Sequence, residues 1–127
     1  MRNKIETCIR TSSDSQIKFE ELKRKIIFLN PNHELYQRVQ VDGCTITDGI
    51  KCDKLLLSSD EHEERYVELK GTDVMHAIDQ LEATILRLGE YEDNRHSYVI
   101  CTNVAPAYTT VNIQFKQWKQ FKKYQSF

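Results

Sequence analysis

Apolar positions along the chain change period several times, and each change marks the edge of an element. Over residues 13–29, Phe19, Leu22, Ile26 and Leu29 recur at intervals of three and four, which predicts a first helix. Ser13, Asp14 or Ser15 can cap its start. Asn30-Pro31-Asn32 stops it, because proline disfavours helix in the residue before it. Residues 36–41 then alternate, with Val39 and Val41 on one face, and Asp42-Gly43 marks a bulge or kink. Cys44-Thr45-Ile46-Thr47 runs into Asp48-Gly49, a two-residue hairpin signal, and residues 50–57 make the return strand. A polar loop over 58–64 leads to a third strand over 65–70, which ends at Gly71.

From Asp73 the period becomes helical. Val74, Ile78, Leu81, Ile85 and Leu88 step by four, three, four and three, and Gly89 closes the run. Residues 97–102 form a short apolar run of buried-strand type. Past Pro106, Val111, Phe115, Trp118 and Phe121 predict a final helix that carries Lys116, Lys119, Lys122 and Lys123. The order helix, three antiparallel strands, helix, strand, helix predicts an α/β fold with a small mixed sheet. At 127 residues the chain is sized for one domain spanning 1–127.

Charge adds little at first sight, since 18 Lys and Arg against 19 Asp and Glu leave a formal net charge of -1. No strongly basic clamp is visible in the total, although a local patch remains open. No apolar run has the roughly 18–20 residues of a membrane span, and residues 1–10 show no secretory pattern. The four cysteines, Cys8, Cys44, Cys52 and Cys101, are therefore expected as reduced thiols in a cytoplasmic protein. Their spacing does not suit a zinc knuckle, and His33, His62, His76 and His96 share no ligand spacing.

The chemistry lies in the second and third strands. Closing them at the 58–64 loop sets Leu57 near Arg65 and Leu55 near Val67, which gathers Asp53, Glu68 and Lys70 at the open end. Glu68 and Lys70 are two apart and share a face, while Val67 and Leu69 point into apolar packing. Two carboxylates about 4 Å apart repel by about 4 kcal/mol at an effective dielectric near 20. Lys70 offsets part of this, and a divalent cation such as Mg²⁺, which takes oxygen ligands and keeps waters, can offset all of it. The plainer alternative is that Glu68 and Lys70 pair as ions on a solvated sheet face.

Asp53 on one strand, then Glu68-Leu69-Lys70 on the next, then a helix, resembles the PD-(D/E)XK, or restriction-endonuclease-like, nuclease superfamily. The αβββαβ order over residues 13–102 is similar to that superfamily's core. The resemblance implies a nuclease dependent on Mg²⁺ or Mn²⁺, with Asp53 and Glu68 as metal ligands and Lys70 as the catalytic lysine. Cys52 stands where the family's motif has proline. The resemblance also brings forward Gln80 on the following helix, either beside the metal or on the surface, with Thr84 in place of the usual tyrosine. It allows a glutamate from the first helix, either Glu20 or Glu21.

A two-residue turn at Asp48-Gly49 would set Cys44 opposite Asp53 and bring Asp42 to the periphery of the site. Asp60, Glu61, Glu63 and Glu64 around His62 read as a solvated hairpin tip. The lysines of the terminal segment, interleaved with aromatics, either contact phosphates or face water above a buried aromatic stripe. The expected partner is nucleic acid, DNA ahead of RNA, and cutting both strands of a duplex calls for a homodimer or larger complex. A non-catalytic nucleic-acid-binding or protein-interaction module on the same fold is the competing expectation.

Overall fold

The computed structural model describes residues 5–22, 24–69 and 74–100. Five strands form one mixed sheet in the order β1 (Ile9–Ser12), β4 (Tyr36–Gln40), β5 (Lys54–Ser58), β6 (Glu64–Leu69) and β7 (Arg95–Ile100). Neighbours are antiparallel except β6 and β7, which run parallel across the helix α1 (Val74–Leu88). A hairpin of β2 (Gln16–Glu21) and β3 (Arg24–Leu29) makes a second sheet. The fold is thus mixed α/β in three layers: helix, five-stranded sheet, hairpin.

The expected strand at 50–57, the strand at 65–70, the helix from 73 and the strand at 97–102 all appear, with shifted ends. On one face of the sheet, Val39, Leu55, Leu57 and Tyr66 pack against Ala77, Leu81, Ile85 and Leu88 of α1. On the other face, Leu56, Val67 and Leu69 pack against Ile17, Phe19 and Phe28 of the hairpin. Among the described residues no helix is long and apolar enough to cross a membrane. The expected terminal helix, with Lys116, Lys119, Lys122 and Lys123, lies outside the described residues.

The first helix does not form; residues 13–29 contain the hairpin instead. The stripe that predicted the helix included Leu22 and Leu29, which are 83% and 73% exposed. Ile17 and Phe19 on β2, and Phe28 on β3, are the buried set, at the two-residue period of a strand. Their β-branched and aromatic side chains suit a pleated, half-buried surface. The turn joins Glu21 to Arg24 and places Leu22 at φ 55°, without a glycine.

The hairpin expected at Asp48-Gly49 is also absent. β4 and β5 pair from Tyr36↔Ser58 to Gln40↔Lys54, so residues 41–53 form a long connection. The cause is local hydrogen bonding: Cys44 and Ile46 donate to the Val41 carbonyl, and Thr45 donates to that of Gln40. Gly43, at φ 77°, permits the reversal, and Ile46 buries beneath it. This fold-back sets Cys44 against Cys8 with their Cα atoms 5.7 Å apart, and the two form a disulfide. The expectation of four reduced thiols is corrected for this pair. Cys52 remains a buried free thiol.

β5 and β6 pair one residue away from the expected register, with Leu57↔Glu64 and Leu55↔Tyr66. Glu64 is consequently fully buried rather than part of a solvated tip. Its Oε1 accepts from Arg95 Nε at 2.8 Å, and its Oε2 accepts from the Glu90 and Tyr91 backbone N–H groups at 2.7 and 2.9 Å. Gly89 belongs to this arrangement, since a Cβ there would stand 2.6 Å from Arg95 Nη2. Burial pushes the Glu64 carboxyl up, but these hydrogen bonds outweigh it and hold the group below the ordinary 4.5. A depressed folded-state pKa contributes stability at neutral pH that is lost as pH falls below that value. Glu64→Gln should therefore cost about 3–5 kcal/mol at pH 7 by leaving the Arg95 cation buried without its charge partner. Urea unfolding at pH 7 and at pH 3 checks this, and the difference between variant and wild type should shrink in acid.

Candidate functional site

Asp53 stands just before β5 and is held from three directions. Its N–H donates to the Val67 carbonyl at 3.2 Å, and its own carbonyl accepts from Val41 and Asp42 at 3.0 and 3.3 Å. Its side-chain Oδ2 accepts from the Leu69 N–H at 2.8 Å. Backbone and side chain together thus clasp β6 on either side of Glu68. Asp53 is 7% exposed and Glu68 3%. Two acidic side chains are buried at one end of the β5–β6 pair, where the strand register alone would bring them together.

The helix fixes the approach to Asp53. Thr84 Oγ1 donates to the Gln80 carbonyl at 2.8 Å and accepts from the Cys52 N–H at 2.7 Å. Gln80 Nε2 donates to the Lys51 carbonyl at 3.0 Å, and its buried Oε1 has no hydrogen-bond partner among the described residues. Residues 51 and 52 are therefore pinned to α1 immediately before the aspartate. Thr84 is fully buried, and its hydroxyl is the joint between helix and strand.

Electrostatically the site is acidic and enclosed. Burial raises the Asp53 carboxyl, opposed by its Leu69 hydrogen bond and reinforced by the charges of Glu21 and Asp42, with Lys54 acting the other way. The Cys52 thiol is pushed up to about 12, by burial first, with the Glu68 and Asp53 charges adding to it against the Thr84 hydrogen bond. It stays a neutral thiol beside both carboxylates. Glu21 comes from the end of β2 and pairs with Lys54 at 3.6 Å. Of the two glutamates considered, this is the one near the site, and a strand rather than a helix delivers it.

The structure brings Asp53, Glu68 and Gln80 to one region, and Asp42 borders it. Asp42 arrives through the fold-back of residues 41–46, not through a strand, and pairs with Lys51 at 3.9 Å. Cys44 lies in the disulfide and is not a thiol at the site. Lys70 falls outside the described residues. Sequence reasoning missed Thr84 as a positioning group and Arg24, whose Nε donates to the Leu69 carbonyl at 3.1 Å. The signal for Thr84 was a polar residue on the flank of an otherwise apolar helix face. Arg24 gave none, because its position depends on the hairpin.

Neither protein-family models, curated proteins nor solved structures yield a match to this chain. The functional reading therefore rests on the site itself.

Thr84→Val should lower stability by about 1–3 kcal/mol, because the buried Cys52 N–H loses its acceptor, whereas Thr84→Ser should retain most of it. Chemical denaturation of the two variants separates these outcomes. In a chelating buffer at pH 7, Asp53→Asn should raise the unfolding midpoint, since the amide keeps an acceptor for Leu69 and removes a buried, repelled charge. A thermal melt that shows a clear fall would contradict this account of the acidic cluster.

Proposed function

We propose that the protein is a divalent-metal-dependent nuclease of the PD-(D/E)XK kind, cutting phosphodiester bonds of DNA or RNA. The observation that carries this reading is the clasp of Asp53 around Glu68, which buries two acidic side chains beside the same Cys52 thiol while the Glu21 and Asp42 charges oppose that of Asp53. Such an arrangement is costly unless a cation is part of its working state. The order β4, β5, β6, α1, β7 supports the same reading, because it follows the βββαβ portion of that core. The leading helix of the αβββαβ pattern is replaced by the β2–β3 hairpin.

The donor set fits Mg²⁺ or Mn²⁺. It consists of hard carboxylate oxygens, with the neutral Cys52 thiol unsuited as a ligand. Among the described residues no group of three or more His, Cys, Asp or Glu side chains forms a cage. A site of two carboxylates matches an ion that keeps several waters. Asp53 and Glu68 would hold the ion, with Asp42 and Glu21 at the margin.

When bound, the ion supplies an activated water and neutralises the acidic pair. Asp53 keeps its orientation through the Leu69 N–H, and Thr84 and Gln80 keep the segment before it fixed. Lys70, two residues after Glu68, would set its ammonium against charge developing on the phosphate. The lysines at 116, 119, 122 and 123 remain part of the proposal as contacts to nucleic-acid phosphates. Cleavage of labelled single- and double-stranded DNA and RNA should require Mg²⁺ or Mn²⁺ and stop with chelator. Glu68→Gln and Lys70→Ala should each lower the rate by about 100-fold or more; variants as active as wild type would end the assignment.

A further inference from the structure

A cleft of 410 Å³ opens between the hairpin layer and the β1–β4 edge of the sheet, away from α1. Arg10, Arg38 and Lys54 line it, against the single acid Glu20. Glu20 pairs with Lys18 at 3.3 Å, and Lys54 with Glu21. Arg10 and Arg38 have no ion-pair partner among the described residues, yet they are directly opposed in the β1–β4 register. Like charges across a strand pair repel, so this juxtaposition calls for an anion between them.

Arg38 is prepared for that role. Its Nη2 donates to the Lys18 carbonyl, and its guanidinium lies 4.9 Å from the centre of the Phe19 ring. A planar fork held by stacking presents its remaining N–H groups with little further loss of freedom, which suits a phosphate. Arg10 is exposed on the edge strand and can close on the same anion from the other side.

The cleft reaches the start of β5. Lys54 adjoins Asp53 in the chain and is paired with Gln40 on β4. Arg38 sits opposite Leu56, three residues along β5 from Asp53, which is about 10 Å at the ~3.4 Å rise of a strand.

We propose that this cleft is a phosphate-binding groove that holds the backbone of a nucleic-acid strand, with Lys54 at its end next to Asp53 in the chain. The inference rests on the nuclease reading and adds to it a strand-binding surface on the hairpin side of the sheet. Charge is the recognising chemistry, so the groove takes any sequence and its grip weakens with salt.

The test uses the full chain in EDTA, where a labelled 20-nucleotide single strand and its duplex are bound but not cut. Fluorescence anisotropy compares wild type with Arg10→Gln and with the Arg10→Gln/Arg38→Gln double variant across a salt series. The double variant should bind at least tenfold more weakly, with a salt slope smaller by between one and two. Arg10→Gln alone should weaken binding about threefold. Its side chain has no contact to lose among the described residues, so it reports even if the double variant does not fold.

Binding by both variants equal to wild type overturns the groove, even if Mg²⁺-dependent cleavage is found. Inorganic phosphate that binds in an Arg10-dependent way, with nucleic-acid affinity unaffected by the variants, assigns the cleft to a small anion and also overturns it. Arginine-dependent strand binding with no cleavage in Mg²⁺ or Mn²⁺ upholds the groove and removes the nuclease reading instead.

Discussion

Strands β5 and β6 are buried on both faces, and neither covering layer could serve them alone. Leu55, Leu57 and Tyr66 face α1, while Leu56, Val67 and Leu69 face the hairpin. Each such side chain contributes about 1.5–3 kcal/mol only while its own cover stays in place. A one-residue slip would exchange the two sets and strand both, so the register is tightly specified. The same register carries Asp53 to the level of Glu68. The acidic pair is thus a by-product of apolar packing a few residues away, which is why it can be held together despite its charge.

How far the site was legible follows from where its information lies. Asp53, Glu68 and the α1 stripe are written in local pattern: a strand, a polar interruption within apolar neighbours, and a helix of clean period. Those positions were readable. The hairpin of residues 16–29 was not, because the sequence supports two periods there. Phe19 and Ile26 fit both a helical stripe and a strand face, and burial of Ile17 and Phe28 decides in favour of the strand. Glu21 and Arg24 reach the site only through that hairpin, so their roles depended on a tertiary outcome. The Asp48-Gly49 signal failed for a different reason. Residues 41–46 satisfy their backbone groups by folding back on Val41, and no local turn preference competes with that.

Net charge was a poor guide because the molecule separates its charges by layer. Acidic groups converge where β5 and β6 begin and end, while cations line the opposite side of the edge strands. Lys54 stands at the boundary, between Glu21 and Gln40, in contact with both. A total near zero therefore coexists with strong local fields of either sign, as low-dielectric surroundings allow.

The bond between Cys8 and Cys44 ties the chain just before β1 to the fold-back after β4, across 36 positions. β1, the whole hairpin and β4 consequently lie inside one covalent ring. In the chain-entropy view, closing a ring of that size removes about 3–4 kcal/mol worth of freedom from the unfolded chain. The layer that gains most is the hairpin, which has no covalent or helical anchor of its own. Redox conditions thereby govern how firmly the lower wall of the cleft is kept against the sheet, and a reducing solution would leave that wall to its non-covalent contacts, the burial of Ile17, Phe19 and Phe28 and the hydrogen bonds of Arg24 and Arg38.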